Sequence, residues 1–141
     1  MNTIDDSRVR LDKRFDWVGP PNRISKIRPI KLRIVENETN IEKNYRIARE
    51  QLNMWNSKFW ENHNLEFERQ RDEFIKNRKN ELGKLGNVTA NDMSTFYKKF
   101  LNDEYAALSH YNKTWYMRNF QLLWPAFKVN MIRFFRLISR K

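Results

Sequence analysis

A chain of 141 residues with 40% apolar and 14% aromatic content can build one modest core, and it carries a net charge of +11. It has no cysteine, two histidines and three glycines. These counts remove disulfides, thiolate catalysis and Cys-based metal or copper sites, argue against a histidine-rich metal site, and leave too little glycine for a phosphate-cradling loop. The charge is uneven: Lys and Arg exceed Asp and Glu by three over residues 1–38, by one over 39–83 and by seven over 84–141. Such an excess suits RNA, an acidic protein or an anionic lipid surface about equally.

Residues 1–14 are polar, mixed in charge and without apolar period, and read as a loose arm. Asp5 and Asp6 stand where a secretory or mitochondrial targeting segment has no acids, so import would use an unconventional signal or a segment outside this sequence. Asp16-Trp17-Val18-Gly19-Pro20-Pro21 follows. Its two prolines fix φ and its glycine permits a turn, giving a rigid hook anchored by Trp17. Residues 27–34 alternate apolar and basic, but Pro29 removes a ladder donor and no second strand is evident. They read as an extended strap across helices, with a short edge strand as the alternative.

Thr39 and Glu42 fit a capping box, and Ile41, Tyr45, Ala48, Leu52, Trp55 and Phe59 then recur at steps of four and three, the pattern of a helix with one buried stripe. The stripe fails at Asn62-His63-Asn64, where asparagine offers cap and turn chemistry, so a kink or break is expected there. A mainly solvated helix through Phe67, Phe74, Ile75 and Leu82 should end near Gly83 or Gly86. Thr89 and Asp92 offer another cap ahead of Met93, Phe96, Tyr97, Phe100 and Leu101, a short third helix. Asn102 and Asp103 could cap a fourth, through Tyr105, Leu108, Tyr111, Trp115 and Leu122. Pro125, tolerated in a first turn and costly within a helix by about 3 kcal/mol, either kinks that helix or opens a fifth, and the fifth is the favoured reading.

This last helix is the most informative. At about 100° per residue, Trp124, Phe127, Met131, Phe134, Phe135 and Ile138 share one face and Arg133, Arg136 and Arg140 the other. Such a helix can lie on an anionic membrane, dock on a partner or close the protein's own core. No run of about eighteen apolar residues exists, so nothing reads as a bilayer span. The expected fold is all-α: a small bundle of about five helices over residues 39–141, with an extended, proline-bearing arm over residues 1–38.

Several segments together resemble the cytochrome c oxidase assembly factor 8 (apoptogenic protein 1) family. They are Asp16-Trp17-Val18-Gly19-Pro20-Pro21, Arg28-Pro29, Glu36-Asn37-Glu38, Trp55-Asn56 with Phe59-Trp60, Asn64-Leu65, Asp72-Glu73-Phe74-Ile75, Phe96-Tyr97-Lys98 with Phe100-Leu101, and Tyr111-Asn112 running to Trp115-Tyr116 and Arg118-Asn119-Phe120. The resemblance spans roughly residues 16–120 and weakens from Pro125 onward. It implies a mitochondrial protein at the matrix face of the inner membrane that supports cytochrome c oxidase biogenesis and its protection under oxidative stress. It implies no catalytic residue.

No acid, base and nucleophile converge in the sequence, so a non-enzymatic role is expected. His63, His110, Tyr111, Met117 and Met131 are the side chains that could ligate haem. His63, at the expected helix break, reads as a cap or surface residue and His110, in an aromatic stretch, as a structural histidine, and no cofactor or metal is expected. Basic residues interleaved with aromatics could serve RNA, or a mitoribosome, but no RNP or KH signature accompanies them and no specific nucleic acid is expected. The partners implied by the resemblance are oxidase subunits or assembly intermediates, with peripheral contact to anionic inner-membrane lipid. The candidate interaction surface comprises Trp17, Pro20, Pro21, Trp55, Trp60, Trp115, Tyr116 and Arg118. The candidate membrane-facing residues are Phe127, Arg133, Phe134, Arg136 and Arg140.

Overall fold

A computed structural model describes residues 14–140; the loose arm expected over residues 1–14 lies almost entirely outside them. Four helices follow a two-stranded ribbon: β1 (Trp17–Val18), β2 (Ile30–Lys31), α1 (Asn40–Leu82), α2 (Ala90–Asp103), α3 (Tyr105–Gln121) and α4 (Leu123–Ser139). The all-α expectation holds, with four helices among the described residues in place of about five. The difference lies at Asn62-His63-Asn64, where α1 runs on unbroken for 43 residues, about 65 Å at 1.5 Å per residue. These side chains are used across the fold. Asn64 Nδ2 donates to the Ile24 carbonyl (2.7 Å), and the His63 ring packs 5.4 Å from Phe100. Tertiary partners thus override a local cap signal.

The partners along α1 show the architecture. Phe74 stacks on Phe96 (5.2 Å), Phe67 meets Phe100 edge-on (5.0 Å), Phe59 stacks on Tyr111 (4.1 Å), the Arg118 guanidinium lies 4.6 Å over Trp55, and Glu42 pairs with Arg136. As numbers fall along α1 they rise through α2, α3 and α4. The fold is therefore one long antiparallel hairpin whose returning limb is broken into three helices.

Each break has a local cause. α1 ends on Gly83, whose φ of 77° a side chain would resist. Both capping boxes form, Thr39 with Glu42 and Thr89 with Asp92. α3 starts instead on Glu104, which makes no side-chain cap bond, so Asn102 and Asp103 do not cap it. α4 starts at Leu123, two residues before the position expected, and Pro125 occupies its first turn, where its missing N–H is no loss.

The arm lies along a flank of α1, beside the returning limb. Leu32 N donates to Glu50 Oε1 (3.0 Å), Asn53 Nδ2 to the Arg28 carbonyl (3.0 Å), and the buried Ser25 hydroxyl meets that of Ser57 (2.9 Å). The strap's alternative reading is the one observed in part, because β2 does find a partner strand. Val18 pairs with Ile30 and Trp17 with Lys31, and Gly19 N donates to the Pro29 carbonyl (2.9 Å). Pro29 keeps its acceptor although it lacks a donor. A β-carbon on Gly19 would stand 2.5 Å from the Trp17 ring and 2.8 Å from Pro29 Cγ, so only glycine lets that ring close over the ribbon.

Candidate interaction surface

Two-layer packing leaves every helix with an outward face, and on α3 and α4 that face is apolar. Tyr116, Met117 and Phe120 on α3, and Leu123, Trp124, Phe127, Met131, Phe134, Phe135 and Ile138 on α4, are all exposed, Phe120 by 76% and Trp124 by 63%. Leu122 between the helices keeps right-handed helical dihedrals (φ −82°, ψ −13°), so the helical phase carries through the joint. At about 100° per residue these ten side chains fall within roughly 120° of one circumference. They form one continuous stripe.

The packing side of the same unit lies opposite. In α3 it is Leu108, Tyr111 and Trp115; in α4 it is the fully buried Val129 with Ile132 and Arg136. The apolar face of α4 therefore does not close the core, although it is the greasier of the two. Burial follows Val129 and an ion pair instead. Arg136 Nη2 stands 2.7 Å from Glu42 Oε1, Nη1 donates to Glu42 Oε2 (3.0 Å), and Nη2 also reaches the Asn37 carbonyl (2.9 Å). Glu42 is 3% exposed. Burial pushes its carboxyl up, but hydrogen bonds from Arg136 and the Thr39 cap outweigh this and hold it below the usual carboxylate range. Arg136 thus faces inward and drops out of the cations available to lipid. Of the three arginines expected on the basic face, Arg136 is the one that docks, while Arg133 and Arg140 stay exposed.

The other candidate residues divide similarly. Trp55 and Trp60 sit half-buried in the hairpin seam. Tyr111 stacks on Trp55 (5.3 Å), Trp60 Nε1 donates to the Tyr111 hydroxyl (3.0 Å), and that hydroxyl donates to Asn56 Oδ1. Arg118 is spent on Trp55 and Trp115 is half-buried, packed edge-on to Tyr116 (5.2 Å). Trp17 is half-buried within the ribbon, whereas Pro20 and Pro21 are exposed. Tyr116, Phe127, Phe134, Arg133 and Arg140 face solvent. Of the side chains weighed as haem ligands, His63 lies between Phe59, Trp60 and Phe100 with Nδ1 4.0 Å from Glu104, Tyr111 is buried, and His110, Met117 and Met131 are exposed.

Sequence reasoning missed Met117, Phe120 and Leu123 as part of the surface. The signal that finds them is the phase shared across Leu122, together with the absence of any Asp or Glu after Glu104. Over residues 105–141 seven Lys and Arg stand without one acid. Lys113 and Lys128 border the stripe, Lys128 with its ammonium 5.3 Å over the Trp124 ring. No helix among the described residues is long and apolar enough to cross a membrane.

No solved structure matches this chain. Among curated proteins it is 57% identical over 142 residues to a mitochondrial COA8 family protein of Caenorhabditis elegans, covering 99% of this chain and all of that one. A Caenorhabditis briggsae counterpart is 58% identical over 95% of this chain and 94% of its own. The human cytochrome c oxidase assembly factor 8 is 35% identical over 89% of this chain and 65% of its own. The family described as cytochrome c oxidase assembly factor 8 matches residues 15–135. With nearly the whole chain so matched, this protein belongs to the cytochrome c oxidase assembly factor 8 family.

Proposed function

We propose that this protein is a non-enzymatic mitochondrial factor that supports the assembly of cytochrome c oxidase and its protection under oxidative stress, working at the matrix face of the inner membrane. Family membership supports the oxidase and the mitochondrion, through the names its relatives carry. The observation that carries the mode of action is the outward stripe of α3 and α4. An apolar face ten side chains long, bordered by Lys113 and Lys128 on an acid-free unit, fits peripheral attachment to anionic lipid. Each cation near such a surface contributes about 1 kcal/mol, less as salt rises. The exposed prolines of the hook and the outer side of the arm are then left for an oxidase subunit or assembly intermediate.

RNA is the less fitting partner. Trp55 and Trp60 are taken up by Tyr111 and Arg118 rather than offered to bases, and the exposed rings of α3 and α4 stand among aliphatic side chains with no RNP or KH signature beside them.

Flotation with cardiolipin-containing vesicles at two salt concentrations tests the attachment. The full chain should float at low salt and less at high salt, and Phe127→Asp with Phe134→Asp should abolish flotation while circular dichroism stays helical. A full chain that stays in the pellet at low salt, or equal flotation of the variant, sinks the lipid reading. Crosslinking from mitochondria, with RNA measured in the same eluate, tests the partner. Oxidase subunits or maturation factors without RNA are expected, and ribosomal or messenger RNA would reverse the choice.

A further inference from the structure

At the open end of the hairpin the arm, α1 and α4 enclose a cleft of about 40 Å³ lined by Arg33, Arg46, Arg49 and Arg133 against Asp16, Glu38 and Glu42. Each carboxylate is already engaged. Glu38 is held by both donors of Arg46 (3.0 and 3.1 Å), Glu42 by Arg136, and Asp16 by the Arg33 backbone N–H (2.7 Å). Arg33 also donates from Nη1 to the Arg14 carbonyl (3.3 Å). Arg49 has the Tyr45 ring 5.8 Å from its guanidinium, and among the described residues the Arg133 side chain has no ion pair or hydrogen bond and neither guanidinium meets a carboxylate. Two guanidinium groups, one from α1 and one from α4, thus border a cleft whose acids are spoken for.

We infer that this cleft binds a phosphate group, gripped by Arg49 and Arg133 across the junction of α1 and α4. Guanidinium suits the task because its planar donors can take two phosphate oxygens at once, which an ammonium cannot. Phosphate is favoured over a carboxylate because two guanidinium groups can engage up to four acceptor oxygens in pairs, more than the two a carboxylate has. The group can come from a soluble phosphate or from a lipid headgroup. In either case it ties α4 to the arm side of α1, on the face turned away from the apolar stripe, so the inference stands independently of lipid attachment through that stripe.

The test uses the full chain at constant ionic strength, with pyrophosphate and inorganic phosphate titrated calorimetrically and chloride as the reference anion. Arg49→Gln with Arg133→Gln should weaken pyrophosphate binding about tenfold or more. Lys76→Gln with Lys79→Gln removes equal charge from the far part of α1 and should leave it within about twofold. A second arm measures binding to phosphatidylcholine vesicles with and without phosphatidic acid. A defect of the arginine pair on phosphatidic acid vesicles, without soluble binding, assigns the site to headgroups; soluble binding lost in the pair, with vesicle binding unchanged, assigns it to a free phosphate. Absence of saturable soluble binding together with equal vesicle binding of all variants overturns the inference, as does equal weakening by both glutamine pairs.

Discussion

Around Tyr111 the two limbs of the hairpin are joined by rings, whereas at the Glu42 end they are joined by one ion pair and one fully buried valine. In the middle, Tyr111 lies against Trp55, Phe59 and Trp60, with its hydroxyl between the Trp60 and Asn56 side chains. Such aromatic pairs each add about 0.5–1.5 kcal/mol beyond area burial. At the open end α4 turns its many aromatics outward and holds on through Val129 and Arg136. Rings used internally make a permanent joint. Rings left outside make a working surface, on a helix whose inner face is held by Val129, Ile132 and the pair of Arg136 with Glu42.

The largest effect should come from the middle. Tyr111→Ala removes a buried ring and leaves the Trp60 and Asn56 polar groups without their partner, a loss of about 3–5 kcal/mol, comparable to other large aromatic truncations. Chemical denaturation should show one early, global transition. A loss below about 1 kcal/mol would mean that the rings are not the joint.

Next is the latch. Glu42→Gln leaves Arg136 half-buried without its counter-charge, at a cost of about 3 kcal/mol, by the behaviour of one-sided breaks in buried pairs. The cost should be local: hydrogen exchange should rise in α4 while α1 around Trp55 stays protected. Equal exchange throughout would show that the two ends are one cooperative unit. Acid should mimic the substitution. Because the folded Glu42 carboxyl is held below its ordinary value of 4.5, its contribution is complete above that value and is lost as pH falls through the lower, folded one. Protection of α4 should fade in that window before the middle unfolds.

A smaller effect is expected at the hook. Gly19→Ala drives a methyl into the Trp17 ring and Pro29, and relief by opening the ribbon should cost about 1–3 kcal/mol, typical of overpacking. Tryptophan emission should shift red as Trp17 becomes wetter. The smallest belongs to the solvated stretch of α1. Glu66, lowered to about 2 by hydrogen bonds from Arg69 and Gln70, should titrate nearer its ordinary range in Arg69→Ala. The melting temperature should not move, since such surface pairs add little to stability.

Both capping boxes, the end of α1 at Gly83 and the first-turn place of Pro125 are legible in the sequence, because they follow from local backbone chemistry. What is not legible there depends on partners distant in sequence. Asn64 reads as a helix breaker because its use, holding the Ile24 carbonyl, lies 40 residues away. Trp17 and Val18 do not read as a strand because their partner begins at Ile30, and two-residue strands carry no period. The amphipathic pattern of α4 is plain in its residues, yet it does not tell which face is covered. Arg136 reads as a solvated cation because its counter-charge, Glu42, stands 94 residues back. A hydrophobic stripe marks where apolar contact is available and leaves open whether the chain itself supplies it.

The pairing of falling numbers on α1 with rising numbers on α2 through α4 makes one order of closure the cheapest in chain entropy. The turn after Gly83 brings Phe74 to Phe96 across a short loop, and each later contact closes only a slightly larger one once its neighbour is made. Closure can therefore proceed like a zip from the Gly83 end, and the clasp between Glu42 and Arg136 is the last to engage. A chain threaded N-terminus first, off a ribosome or through a translocation pore, presents the whole of α1 before any of its covering limb has arrived. Its aromatic seam must wait uncovered until α2 and α3 emerge, and α4 arrives last with its own aromatics facing out.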